Sequence, residues 1–286
     1  METLPVLAQR VPSAYERRSY AEIELWKTPD MGWFGRAVDR VNGAVHRVTD
    51  LARKVPGVDW TIDNVVSGLL RLTNEMVQDS VQTQRIYASY REAGYPVFGM
   101  TDITALDLEA VDTALQGLDT KYRALAAVEG AAAGYAGAAG VVPDIVALVA
   151  LNLRAAGEYA AYCGFDISDP VERLYALNVL NGVSAPSDVA KQISLMPVIR
   201  VSRRMAREGA ALAMEQFALT RAIQNVARAL GTRLTAAKMA QIVPVTGAVV
   251  GSGFNAYYTS KVCDAAFNLY RERFLLRKYG TALAEQ

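Results

Sequence analysis

Two stretches decide how this chain is read: EGAAAGYAGAAGVVPD, residues 129–144, and IVPVTGAVVGSGFN, residues 242–255. Each holds a Gly-x-x-x-Gly pair, Gly130 with Gly134 and Gly247 with Gly251, and Gly137 adds a further glycine to the first block. A four-residue step places both glycines of a pair on one helix face, where the missing Cβ atoms let a second backbone approach closely. Each glycine inside a helix costs about 1 kcal/mol relative to alanine, so several together imply packing that offsets the loss. The expectation is two Gly/Ala-rich helices nestled together at the centre of a bundle.

A membrane-spanning reading competes with that expectation. Between Glu129 and Arg154 only Asp144 is charged, and between Lys238 and Lys261 nothing is. Both stretches reach the roughly 20 residues a span needs. Alanine and glycine supply little hydrophobic drive, however, and Asp144 at mid-span costs about 2.5–3.5 kcal/mol. Pro143 and Pro244 also interrupt the two blocks. The balance favours the centre of a helical bundle.

The rest of the 286 residues supports an all-α, single-domain, multi-helix bundle. Strand patterns are sparse, while apolar residues recur at helical spacing, as at Ile62, Val65, Val66, Leu69 and Leu70. Residues 1–35, with Pro5, Pro12 and Pro29, read as an irregular arm with one short helix near Tyr20 to Lys27. The helical domain is expected over 36–280, followed by a tail at 281–286. A helix is expected from Gly35 to about Val55. Five carboxylates between Asp102 and Asp119 suit the positive end of a helix running from about Thr104 to Val128.

Composition excludes several classes of chemistry. His46 is the one histidine, and Cys163 and Cys263 are the two cysteines, so four-thiolate and His-rich metal sites are out. No metal and no cofactor is expected. Gly is never followed by Lys, which removes a phosphate-binding P-loop, and no Gly-x-Ser-x-Gly elbow is present. Lys plus Arg is 30 and Asp plus Glu is 29, so no global charge draws the chain to nucleic acid. The N-terminus lacks the basic and apolar regions of a signal peptide. Two cysteines in so long a chain suit a reducing, cytoplasmic setting.

Polar residues within the two blocks are the candidate site. Asp144 and Glu158 recur with Leu148, Leu151, Ala155 and Tyr162 on one helix face. Asn255 and Arg273 share a face of the last helix with Thr259, Val262 and Ala266. Packing of the two helices would bring Asn255 and Arg273 toward the carboxylates. The cluster Asp144, Glu158, Asn255 and Arg273 is then either a buried network that sets helix register or a ligand or catalytic site, the former being favoured. Asp144 also reads as a helix N-cap after Pro143, and Arg154 with Glu158 as a pair along one helix. Arg200 to Lys238 carries eight basic residues among apolar ones, and Arg203, Arg204 and Arg207 are candidate contacts to an anionic membrane surface.

Taken in order, the two blocks resemble signatures of the EcsC family. The first runs through Leu148 to Asp166 into Glu172-Arg173. The second runs from Lys238-Met239-Ala240-Gln241-Ile242-Val243-Pro244 through Asn255, Asp264-Ala265-Ala266 and Arg271-Glu272-Arg273-Phe274 to Lys278-Tyr279-Gly280. About 100 residues carry the likeness. Cys163 departs from it by separating Tyr162 from Gly164, which bears on where that helix ends. The resemblance implies a bacterial, mostly helical protein. The family's namesake is encoded beside the ATPase and permease of an ABC transporter, and no established catalytic residues come with the family. The expected function is a non-catalytic accessory or regulatory protein, cytoplasmic and peripheral to the inner membrane. Its expected partners are the membrane surface or transporter subunits, with homo-oligomerisation open. A hydrolase using the buried carboxylates, or a lipid- or small-molecule-binding bundle, is the alternative.

Overall fold

A computed structural model describes residues 11–27, 58–75, 81–134, 141–184, 216–242 and 247–280. His46, the helix expected over 35–55, Gly137, the tail at 281–286 and Arg203, Arg204 and Arg207 lie outside the described residues. Among the described residues, helices α1 (Ala14–Lys27), α2 (Val58–Glu75), α3 (Thr83–Glu92), α4 (Met100–Ile103), α5 (Leu108–Ala114) and α6 (Leu118–Gly134) lie in the first half. Helices α7 (Val141–Tyr162), α8 (Pro170–Val183), α9 (Gln216–Ile242) and α10 (Gly247–Tyr279) follow. The described residues contain no β-strand, and the protein is all-α. Among the described residues, no helix is long and apolar enough to cross a membrane.

The N-terminal helix is longer than its sequence pattern suggests. Ser13 accepts a hydrogen bond from the Glu16 backbone N–H at 3.1 Å, while Glu16 accepts one from the Ser13 N–H at 2.9 Å. This Ser-x-x-Glu capping box starts α1 at Ala14 rather than near Tyr20. The helix docks on α10 and α5 through Tyr20 and Ile23.

The acidic stretch from Asp102 to Asp119 is not one helix. It divides into α4, α5 and the start of α6. Asp107 caps α5 by accepting from the Glu109 N–H at 3.1 Å, so its side chain starts a new helix. Gly117, at φ +80°, then takes a left-handed conformation that stops α5 and re-aims the chain into α6.

The first glycine block is likewise divided between α6 and α7, which pack against each other. The expected close approach occurs between α6 and α10, the most extensively packed pair among the described residues. An ideal Cβ on Gly130 would stand 3.2 Å from the Cβ of Asn255 on α10. Gly134, Gly247 and Gly251 fall within α6 and α10, but their surroundings are outside the described residues. Glycines outside the two blocks bring other backbones together. Gly231 of α9 faces Val65 and Val66 of α2, and Gly68 of α2 faces Val146 of α7.

At 33 residues, α10 is about 50 Å long and forms the axis of the bundle. From Val262 to Leu276 nearly every position is buried, including Cys263, Ala266, Leu269, Tyr270 and Phe274. A helix buried on all sides cannot send its polar residues to water. The four at Asn268, Arg271, Glu272 and Arg273 must find partners inside. Helix α7 is almost as deeply placed and ends at Tyr162 in a Schellman turn. The Phe165 N–H donates to the Ala160 carbonyl at 2.8 Å, and the Gly164 N–H donates to Ala161 at 3.0 Å. Gly164 has φ +77°, so Cys163 is the last residue before the left-handed cap.

Candidate functional site

At the glycine-rich end, three helices contribute one side chain each to a closed polar ring. Asp144 lies in the first turn of α7, Lys238 near the C-terminal end of α9, and Asn255 two turns into α10. The Lys238 ammonium lies 2.5 Å from Asp144 Oδ2 and donates to Asn255 Oδ1 at 2.6 Å. The Asn255 amide donates to Asp144 Oδ1 at 3.0 Å. Asn255 is completely buried and Lys238 nearly so. The ammonium also stands 5.1 Å from the centroid of the Phe254 ring. Gly130 closes the ring from α6, with no Cβ to displace the Asn255 side chain.

Glu129 precedes Gly130 and brings a second carboxylate to this end. Its Oε2 atom is buried with no hydrogen-bond partner among the described residues. Burial, reinforced by the charge of Asp144, pushes the Glu129 carboxyl above its ordinary range. Farther along, Asn152 of α7 donates to the Leu148 carbonyl at 2.8 Å and to Thr259 Oγ1 of α10 at 3.0 Å. Asn152 lies two turns beyond Asp144 and Thr259 one turn beyond Asn255. Together they form a polar seam between α7 and α10.

The four candidate residues from the sequence do not form one site. Asp144 and Asn255 meet as expected, but Asp144 is an ion-paired residue of the first turn rather than the N-cap. Glu158 turns toward α6, where Lys121 lies 2.7 Å from its Oε2. Arg154, 3.9 Å from Oε1, supplies the pair expected along the helix. Arg273 points to α8 and makes two hydrogen bonds with Glu172, both 2.5 Å. Its guanidinium also lies 4.2 Å from the ring centroids of Phe165 and Tyr175. Burial works to lower the Arg273 pKa, yet the hydrogen bonds and charge of Glu172 outweigh it and hold the group above its usual range. Four-residue spacing gave Asn255 and Arg273 one nominal face. They sit 18 positions apart, though, and meet different neighbours along a long axis.

Arg273 belongs to a hub that sequence reasoning missed. Three consecutive residues of α10 reach three different helices, because successive positions turn about 100° around the axis. Arg271 pairs with Asp112 of α5 at 2.7 Å, Glu272 with Lys27 of α1, and Arg273 with Glu172 of α8. One turn farther on, Lys278 lies 2.7 Å from Glu16, which also accepts from the Tyr279 hydroxyl. Burial alone would raise the Glu16 carboxyl, but Lys278 and Tyr279 overcome it and hold the group below its usual range. The signal was an Arg-Glu-Arg run inside an apolar helix. Lys238 was missed differently, as one more member of a basic stretch.

Neither thiol is presented for chemistry. Cys163 and Cys263 are buried and unbridged. Burial pushes both upward, Cys263 to about 12, so little thiolate exists near neutral pH. Among the described residues, no group of three or more His, Cys, Asp and Glu is placed to hold a metal ion. Asp144 and Glu158 each have a cation on a neighbouring helix, and the two pairs tie α7 to α9 and to α6.

The model of the EcsC protein family matches residues 38–275, most of the chain. A curated protein of Bacillus subtilis (strain 168), described as uncharacterized protein YdbA, is 26% identical over 189 residues. That alignment covers 63% of this chain and 63% of the relative's length. No solved structure matches the chain.

Proposed function

The chain belongs to the EcsC protein family, and from that premise we propose that it is a non-catalytic helical accessory protein acting at the cytoplasmic face of a bacterial membrane, in contact with transporter subunits. One observation carries the non-catalytic part. The carboxylates that would serve a hydrolase, Asp144 and Glu158, are held by Lys238 and by Lys121 with Arg154. An acid or base committed to such ties is poorly placed to act on a substrate. This pairing weighs against the hydrolase alternative.

The membrane part rests on charge. Arg221 and Arg228 are exposed on α9, in the C-terminal half of the basic stretch that runs from Arg200 to Lys238. Each cation near an anionic surface contributes about 1 kcal/mol to attachment. Flotation with vesicles tests it. The protein should rise with phosphatidylglycerol vesicles and stay below with phosphatidylcholine ones. The triple change Arg203→Glu, Arg204→Glu and Arg207→Glu should abolish the flotation. Indifference of the unmodified protein to anionic vesicles would refute the membrane assignment.

A further inference from the structure

Helix α1 is fastened to the rest of the molecule more by charge than by apolar contact. Its inward face is Glu16, Ser19, Tyr20, Ile23 and Lys27, of which Tyr20 and Ile23 alone are hydrophobic, while Leu25 is left 71% exposed on the outer side. The fastenings sit at the two ends. At the first, Glu16 lies 2.7 Å from Lys278, accepts from the Tyr279 hydroxyl, and accepts from the Leu108 N–H at 3.3 Å, where α5 begins. Beside it the Tyr15 hydroxyl donates to Asp112 of α5 at 2.7 Å. At the second end, Lys27 pairs with Glu272, and the Trp26 indole N–H donates to Asp264 at 2.9 Å. Glu272 is completely buried and Lys27 nearly so.

The body of the bundle does not depend on this helix. The packing of α10 on α6, α7 and α8, and of α9 on α2 and α8, is made without α1. Asp112 keeps its two-point tie to Arg271, at 2.8 and 2.7 Å, whether or not Tyr15 is in place. Lys278 likewise keeps the Leu106 carbonyl at 2.7 Å. Asp112 and Glu272 lie within the family-matched residues, whereas α1 precedes them. Residues 28–57 join α1 to α2, so a detached α1 stays on the chain.

The face beneath α1 makes a specific demand of whatever covers it. Glu272 calls for a cation and Lys278 for a carboxylate, since a charge covered without a partner is costly. On α1 these are Lys27 and Glu16, eleven positions apart, about 16 Å along a helix. Tyr20 and Ile23 fill the space between them.

We propose that the α5–α10 face under α1 is a receptor for a helix, closed in cis by α1, and that the partner it fits is an amphipathic helix of another protein presenting a carboxylate and, three turns later, an ammonium group. Such a helix takes the place of α1 and makes the same ties to Lys278 and Glu272. The charges at the two ends give the groove its selectivity, because a guest without the cation covers Glu272 and leaves it unpaired. The receptor is independent of any membrane contact, so it can fail while the accessory-protein reading stands, and the reverse.

Hydrogen exchange on the full chain reads the first half of this. In the unmodified protein the amides of α1 should open together, and at lower denaturant than those of α7 and α10. Lys27→Glu sets a carboxylate against Glu272 and should bring α1 close to its intrinsic exchange rates while α7 and α10 stay protected. A fluorescent peptide of residues 11–27 reads the second half. Offered at up to about 1 mM, the order of concentration that tethering supplies, it should bind the Lys27→Glu chain and not the unmodified one, whose groove is filled. The same peptide carrying Lys27→Glu should bind that chain about a hundredfold more weakly. Opening of α1 only together with α10, retained protection of α1 in Lys27→Glu, or loss of protection throughout that variant would each overturn the proposal by making α1 part of the cooperative core. So would a peptide that fails to bind the Lys27→Glu chain, or two peptides that bind it equally.

Discussion

Gly130→Ala and Gly253→Ala are the same chemical change in two glycine-rich helix segments, yet they should move stability in opposite directions. Either alanine gains up to about 1 kcal/mol of helix propensity. At Gly253 an added Cβ meets nothing within 4 Å, so the gain stands alone. At Gly130 the Cβ would stand 3.2 Å from both Cβ and Nδ2 of Asn255, and 3.3 Å from its Cγ. Asn255 must give by a few tenths of an ångström, but its oxygen is held by Lys238 and its amide by Asp144. Overpacking of this kind costs about 1–3 kcal/mol. A weakened hydrogen bond to a buried charged group adds about 1–3 kcal/mol. After the propensity gain, Gly130→Ala should lose about 3 kcal/mol net, placing the two variants about 4 kcal/mol apart. Urea unfolding followed by far-ultraviolet circular dichroism reads the difference as a shift in midpoint at constant slope. A Gly130→Ala protein as stable as the unmodified one would refute the close approach of α6 to α10. Equal losses at both glycines would show that the effect has nothing to do with Asn255.

Two further outcomes follow from the buried charges and thiols. Glu172→Gln should destabilise by about 3–5 kcal/mol because it strands the Arg273 guanidinium among Phe165, Tyr175 and Tyr270, whereas Glu172→Leu combined with Arg273→Met should recover much of that loss in the same unfolding assay. Additive losses in the pair would contradict a direct coupling. Cys163 and Cys263 should resist a disulfide reagent at pH 8 in the folded protein and both react in guanidinium, and rapid labelling of the native protein would contradict their burial.

The parts of the fold readable along the chain were those set by local rules. The all-α class followed from helical periodicity, and the stripe through Val65 and Leu69 is buried as that periodicity implies. Gly130 marked a close helix contact because a missing Cβ has few other uses in a helix that must be stable. Asp144 with Asn255 was anticipated as a meeting of the two blocks. The breaks at Asp107 and Gly117 were locally encoded too, by an N-cap and a left-handed glycine, but the even run of carboxylates hid them. The Ser13–Glu16 capping box was similarly present and passed over.

What the sequence determined by itself was the kind of element at most described positions and the need for partners. An apolar helix carrying Arg271, Glu272 and Arg273 must bury charges and must therefore pair them. Only the tertiary structure decided which partners those are. On a helix enclosed on every side, direction around the axis selects no partner until the neighbouring helices are in place. Asp112, Lys27 and Glu172 come from three elements distant in sequence, and Lys238 reaches Asp144 from a stretch whose composition spoke only of surface charge. Hydrogen-bond geometry acts over about 3 Å, whereas sequence spacing orders residues only within one helix, so the pairing was settled by packing.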